Sequence, residues 1–229
     1  MKRRVACLLC IAGLFGAGTI HADEAETWSR RITLGGHAGV DFATLGGSEL
    51  DDEGVDYSYR TGFAGGGILD LGLTRVLSAQ LELDFVTKGF RGETDFPSTS
   101  GTQHMSYLEV PILLRGAVPI SQAVELYGYG GPAFGVLLDA SIEFDDGNSL
   151  ELDRSVKRFD IGLLFGAGVA VNVRDAGAIT FDVRYNLGVR DWSTVEDSDN
   201  TVINRAIYLT VGYRADLATL GRLFGGAPR

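Results

Sequence analysis

From Arg31 onward, apolar and polar residues alternate with period two over stretches of roughly ten residues, and no helical periodicity competes over comparable lengths. In ITFDVRYNLGVRDW one face carries Ile179, Phe181, Val183, Tyr185, Leu187 and Val189, and the other carries Thr180, Asp182, Arg184, Asn186 and Arg190. QLELDFVTKGF sets Leu81, Leu83 and Phe85 against Glu82, Asp84 and Lys88, and RITLGGHAGVDF sets Ile32, Leu34, Ala38, Val40 and Phe42 against Thr33, His37 and Asp41. Such segments are strands with two different environments. The pattern gives about eight of them, at 31–42, 58–71, 78–90, 104–117, 123–137, 156–171, 178–190 and 203–214. Most exceed the ~5–6 residues of an ordinary strand and reach the ~9–11 that a tilted strand needs to cross a bilayer.

The connections have a rhythm of their own. Short turns (GLTRVLS, VPISQA, NVRDAG) alternate with longer polar segments near 43–57, 91–103, 138–155 and 191–202. The long segments hold much of the acid: Glu49, Asp51, Asp52, Glu53 and Asp56 in the first, Glu143, Asp145, Asp146, Glu151 and Asp153 in the third, Asp191, Glu196, Asp197 and Asp199 in the fourth. An even-stranded up-and-down barrel places every long loop at one end and every short turn, with both termini, at the other, as bacterial outer-membrane barrels do. The expected fold is therefore all-β, an eight-stranded antiparallel up-and-down transmembrane β-barrel.

The start of the chain, MKRRVACLLCIAGLFGAGTIHA, has the basic opening, short apolar run and small terminal residue of an exported leader, so residues 1–22 are set aside as a signal peptide. Residues 23–30 then form an N-terminal periplasmic segment, 31–214 the barrel and 215–229 a C-terminal tail. Both cysteines, Cys7 and Cys10, fall within the leader, and the barrel segment relies on no disulfide. Removing three basic leader residues takes the net charge from −10 to −13, which excludes nucleic acid as a partner.

Alternation alone does not say which face meets lipid. Charge does more, since the polar parity mixes both signs. Asp41, Arg60, Glu82, Asp84, Lys88, Glu109, Arg115, Arg158, Asp160, Asp182, Arg184 and Arg190 form an expected interior polar network, with Asp70, Glu125 and Arg214 on the same parity, because desolvated charges need partners. Tyr57, Tyr59, Phe90, Tyr107, Trp192, Tyr208 and Tyr213 sit near strand ends as an expected aromatic girdle. In SYLEVPILLRGAVP the outward parity is Leu108, Val110, Ile112 and Leu114, while Pro111, which offers no N–H to the ladder, predicts a bulge or irregular pairing.

Five segments, YLEVPILLR, YGYGGPAFGVLL, FDIGLLFGAGVAV, ITFDVRYNLGV and IYLTVGYR, together resemble the small porin-family outer-membrane β-barrel proteins of Gram-negative bacteria, the OmpA/OmpX-like group. The resemblance implies an outer-membrane location and outer-membrane lipid, lipopolysaccharide and the barrel-assembly machinery as partners. It brings no catalytic residues, cofactor or metal. Barrels of this type end on an aromatic residue, whereas here AIYLTVGYR continues into ADLATLGRLFGGAPR. Either Tyr213 is an internal version of that residue, or Phe224 plays the part and the last strand lies further on.

The expected role is structural, surface-interacting or adhesive, with a possible extracellular ligand at the acidic loops and no wide pore. Three alternatives stand beside it: a narrow channel for small solutes or ions, a soluble periplasmic barrel binding an apolar ligand, and an outer-membrane lipid-modifying hydrolase built on His104 and Ser106 of QHMSY. A hydrolase needs a base in reach of the serine and an acid orienting the base, and Glu109, the nearest acid on that strand, has the opposite parity.

Overall fold

The computed structural model describes residues 31–46, 55–95, 98–144, 149–151, 158–174, 176–189 and 203–224. Among the described residues nine strands follow one another: β1 (Ile32–Gly46), β2 (Val55–Gly72), β3 (Leu77–Asp95), β4 (Ser98–Pro119), β5 (Val124–Phe144), β6 (Ser149–Glu151), β7 (Phe159–Val173), β8 (Gly177–Gly188) and β9 (Ile203–Asp216). A helix, α1 (Leu217–Phe224), ends the described chain. Every sequential barrel pair is antiparallel, and β1 closes on β9 from Thr33↔Asp216 to Gly46↔Ile203. Eight strands thus form a closed up-and-down barrel. The three-residue β6 only extends β5 beyond it, pairing Ser149 with Glu143.

The turns at 73–76 and 120–123 are tight, closed by bonds such as Leu73 N to Leu77 O and Ile120 N to Val124 O, and Ala176 N bonds to Val173 O between β7 and β8. Gly177, at φ +95°, takes the left-handed conformation that opens β8. These turns share one end of the barrel with Ile32 and Asp216. At the other end the hairpins run further than composition suggested. β3 and β4 stay paired out to Asp95↔Ser98, so most of the expected loop 91–103 is strand. A ladder outside the bilayer needs no apolar face, which is why polarity alone mistook it for loop.

Apolar side chains face outward and polar ones inward. Leu83, Phe134, Phe181, Val183 and Val211 are exposed, while Asp41, Glu82, Glu109, Thr180 and Arg184 are buried. A soluble barrel would show the reverse, with its apolar parity around a core or cavity. The apolar ligand barrel is thereby set aside. Tyr59 and Tyr213 do face outward near strand ends. Tyr107 and Tyr208 do not belong to the girdle: both are buried in the bore, on the parity of Glu109 and Thr210.

Large inward side chains are accommodated by inward glycines on the neighbouring strand. A Cβ on Gly166 would lie 2.4 Å from the Tyr129 ring, one on Gly168 2.6 Å from the Tyr127 ring, and one on Gly62 2.0 Å from Asp41 Oδ1. The same relation holds between Gly66 and Asp84. Gly166→Val is expected to push Tyr129 off its site and to destabilise the barrel by about 1–3 kcal/mol, with Tyr129→Ala restoring part of the loss. Urea titration of refolded protein measures both; equal midpoints for Gly166→Val and wild type would refute the close packing.

Pro111 proves less disruptive than expected. It pairs with Ala133 on β5, and on the β3 side the ladder skips from Leu81↔Ile112 to Asp84↔Glu109 without a change of register. The missing N–H interrupts the ladder and does not cause slippage. The register shift in β4–β5 lies instead between Ser106 and Tyr107, where Ser106 faces Asp139 and Tyr107 faces Leu137, leaving Leu138 as the extra residue. Tyr213 lies in the last strand and Phe224 in α1, so the final strand ends close to the expected 214.

Candidate functional site: the filled barrel interior

The polar side chains of the bore meet in three tiers. In the tier toward the long loops, Lys88 Nζ lies 2.5 Å from Glu109 Oε1 and 3.3 Å from Asp160 Oδ2. Asn186 Nδ2 donates to Glu109 Oε2 and to the Tyr208 hydroxyl, each at 3.3 Å, and Arg60 donates to the Lys88 carbonyl at 3.1 Å. Asp41 is fully buried in the bore, and neither of its carboxylate oxygens accepts a hydrogen bond among the described residues.

The middle tier centres on Arg184. Its guanidinium lies 2.7 Å from Glu82 Oε2, 3.8 Å from Asp84 Oδ2, and over the Tyr129 ring at 5.3 Å. His37 Nε2 sits 2.9 Å from Asp84 Oδ1, Gln80 donates to Glu82, and Tyr129 donates to Asp182 at 3.0 Å. Donor atoms of His37, Glu82 and Asp84 lie within 4.8 Å of one another, a spacing that could hold a cation. Arg184 already places a positive charge against both carboxylates, so the group is built as an ion-pair network.

Toward the short turns, Arg214 donates to Gln80 at 2.8 Å and lies 3.4 Å from Asp70, while Arg115 donates to Glu125 at 2.6 Å. The Tyr127 ring lies between these two arginines, 4.2 Å from the Arg115 guanidinium and 5.6 Å from that of Arg214. Tyr127 in turn stacks on Tyr129 at 6.1 Å.

Ten of the twelve residues assigned to the interior network from sequence therefore lie in or at the bore: Asp41, Arg60, Glu82, Asp84, Lys88, Glu109, Arg115, Asp160, Asp182 and Arg184. Arg158 is a correction. It precedes β7 and is exposed, because the inward row of that strand begins at Asp160 and a long side chain beyond the strand end reaches water. Arg190 lies outside the described residues, as do most of the loop acids. Asp70 and Arg214, placed on the inward parity from sequence, are also buried in the bore. Sequence reasoning left out Gln80 and Gln103, which carry no charge, and sent Tyr107 and Tyr208 to the girdle; the signal for all four was parity, shared with the acids and arginines of the same strands.

Seven buried carboxylates (Asp41, Asp70, Glu82, Asp84, Glu109, Asp160 and Asp182) face four buried cations (Lys88, Arg115, Arg184 and Arg214) among the described residues. The bore is less balanced than the strands suggested. Neutral donors take up part of the difference, with Ser78 on Asp70, Tyr129 on Asp182 and Asn186 on Glu109.

His104 and Ser106 lie on the outward parity of β4, opposite Ser141 and Asp139 of β5. The acid near His104 is Glu143, 3.8 Å away; the histidine is half-buried and Glu143 is largely open to solvent. That separation is beyond the hydrogen bond with which a triad acid orients its histidine.

A closed barrel with apolar residues outside and paired charges inside is a transmembrane β-barrel. The chain belongs to the outer membrane protein beta-barrel domain family, whose model matches residues 21–193. That membership places it in the outer membrane. Among solved structures it is similar to Neisserial surface protein A (16% identity, 81% of this chain and 97% of that one, TM-score 0.49) and to OprG of Pseudomonas aeruginosa (15%, 81% and 95%, TM-score 0.48). It is also similar to Ail, the attachment invasion locus protein of Yersinia pestis, solved with a heparin analogue (18%, 81% and 99%, TM-score 0.40). None of the curated proteins compared by sequence matches the chain.

Proposed function

We propose that this protein is a non-catalytic surface component of the outer membrane, working through its long loops in envelope structure, surface interaction or adhesion. The observation that carries this reading is the occupied bore. Arg184, Tyr107, Met105, Leu113, Leu164, Gln80, Gln103 and Glu82 are among the largest fully buried side chains, and they occupy the space a channel would need. A rigid filled barrel offers the loops a fixed base, and binding residues concentrate on loops held this way. Their acidity favours cationic partners, including divalent ions shared with lipopolysaccharide, and disfavours polyanions.

Planar bilayer recording tests the closed bore. Purified protein is expected to give no stable conductance steps, and reproducible, voltage-insensitive openings would replace this reading with the narrow channel. Cell adhesion and ion binding by a variant with Asp51, Asp52 and Glu53 changed to Asn, Asn and Gln test the loops. Unchanged binding to surfaces and to Ca²⁺ would remove the acidic loops from the role.

A further inference from the structure

A cavity of about 590 Å³ opens at the short-turn end of the barrel, beneath α1. By the barrel's polarity this end faces the periplasm. Six arginines line it (Arg31, Arg75, Arg115, Arg174, Arg214 and Arg222) against three carboxylates, Asp70, Glu125 and Asp216. Among the described residues the lining thus carries more arginines than carboxylates, in a chain whose net charge is −10.

The carboxylates are already engaged. Asp70 pairs with Arg214, Glu125 with Arg115, and Asp216 Oδ1 accepts the Thr219 N–H at 2.7 Å at the start of α1. Arg115 and Arg214 are only 9% and 6% exposed, and both rest against the same Tyr127 ring, which holds two like charges close together. The Nε–H of each is buried with no acceptor among the described residues. Both residues line the cavity, and of the five N–H donors on each guanidinium the protein partners described take only one or two, so an oxyanion at the cavity wall finds donors to accept from.

We infer that this vestibule binds a phosphate monoester or diester, held by Arg115 and Arg214 and drawn in by the arginines at its rim. The cavity is large enough for a phosphorylated small molecule. At a periplasm-facing end the group could belong to a free solute or to an anionic phospholipid of the inner leaflet. The inference depends on the orientation of the barrel and not on the loop-centred role proposed above; either can fail alone.

The test uses the full barrel in nanodiscs, with glycerol 3-phosphate titrated calorimetrically. In phosphatidylcholine discs the expected result is saturable binding that weakens with salt. Arg115→Gln with Arg214→Gln should weaken it about tenfold or more. Arg75→Gln with Arg174→Gln, both exposed in turns, should weaken it by a smaller factor while leaving the barrel intact. In phosphatidylglycerol discs, loss of the soluble ester's binding through competition assigns the site to a headgroup, and unchanged binding assigns it to a solute. Absence of saturable binding in phosphatidylcholine discs, together with equal retention of the two lipids by the extracted protein, would overturn the inference. So would undiminished binding in both double variants.

Discussion

Arg184→Ala is expected to cost about 3–5 kcal/mol of barrel stability, the largest effect of any single substitution in the bore. The guanidinium is the cation shared by Glu82 and Asp84, and all three side chains are almost completely out of solvent. Removing it leaves two carboxylates facing one another in a water-poor interior with His37 and Gln80 as their remaining partners. Placing Glu82→Gln in the same chain should recover a substantial part, because the uncompensated charge disappears with it. Equilibrium unfolding in urea, followed by tryptophan fluorescence and by mobility of unheated samples on gels, measures the pair. An Arg184→Ala midpoint within 1 kcal/mol of wild type would show that the middle tier is not held by this ion pair. If the double variant were no more stable than the single, the loss would come from packing against Tyr129 instead.

How much of this was legible depended on the strand. β8 was fully readable: Ile179, Phe181, Val183 and Tyr185 face out, Thr180, Asp182, Arg184 and Asn186 face in, and the order of polarity in the sequence is the order in space. β5 was harder. In YGYGG the aromatic rings face the bore and Gly128 and Gly130 face outward, so neither the apolar nor the small residue marks the lipid side. Only the neighbours resolve it, since Gly166 and Gly168 of β7 make the room that Tyr129 and Tyr127 fill. The same ambiguity sent Tyr107 and Tyr208 to an interfacial girdle. A tyrosine near a strand end suits headgroups and a polar bore equally well, and parity decides between them.

The network shows the same division. Which residues point inward followed from alternation, but which meet did not. Arg184 and Glu82 are 102 residues apart, and Arg214 and Gln80 are 134 apart. Those meetings depend on barrel closure and register, including the shift at Ser106 that no local signal in QHMSYLEV announces. Arg158 failed for a complementary reason: it had the right parity but lay beyond the first inward position of its strand.

Val183→Arg is expected to destabilise the barrel by about 2–4 kcal/mol, because it sets a charge on the lipid face near mid-strand. Val183 is 57% exposed in the middle of β8, with Asp182 and Arg184 on either side turned inward. Ile120→Arg is the control. Ile120 is equally open, at 62%, but it sits in the β4–β5 turn where a long side chain reaches the interface, so the expected cost there is ~0–1 kcal/mol. Both variants should be compared in lipid vesicles and in a small-micelle detergent by urea unfolding. A large penalty at Val183 and a small one at Ile120 in vesicles, converging in detergent, is the signature of depth within a bilayer. Equal, small costs at both positions would mean that the outer face does not contact hydrocarbon, and the apolar belt would need another occupant. A large cost at both would point to strand packing, since a side chain at a turn pays no hydrocarbon penalty.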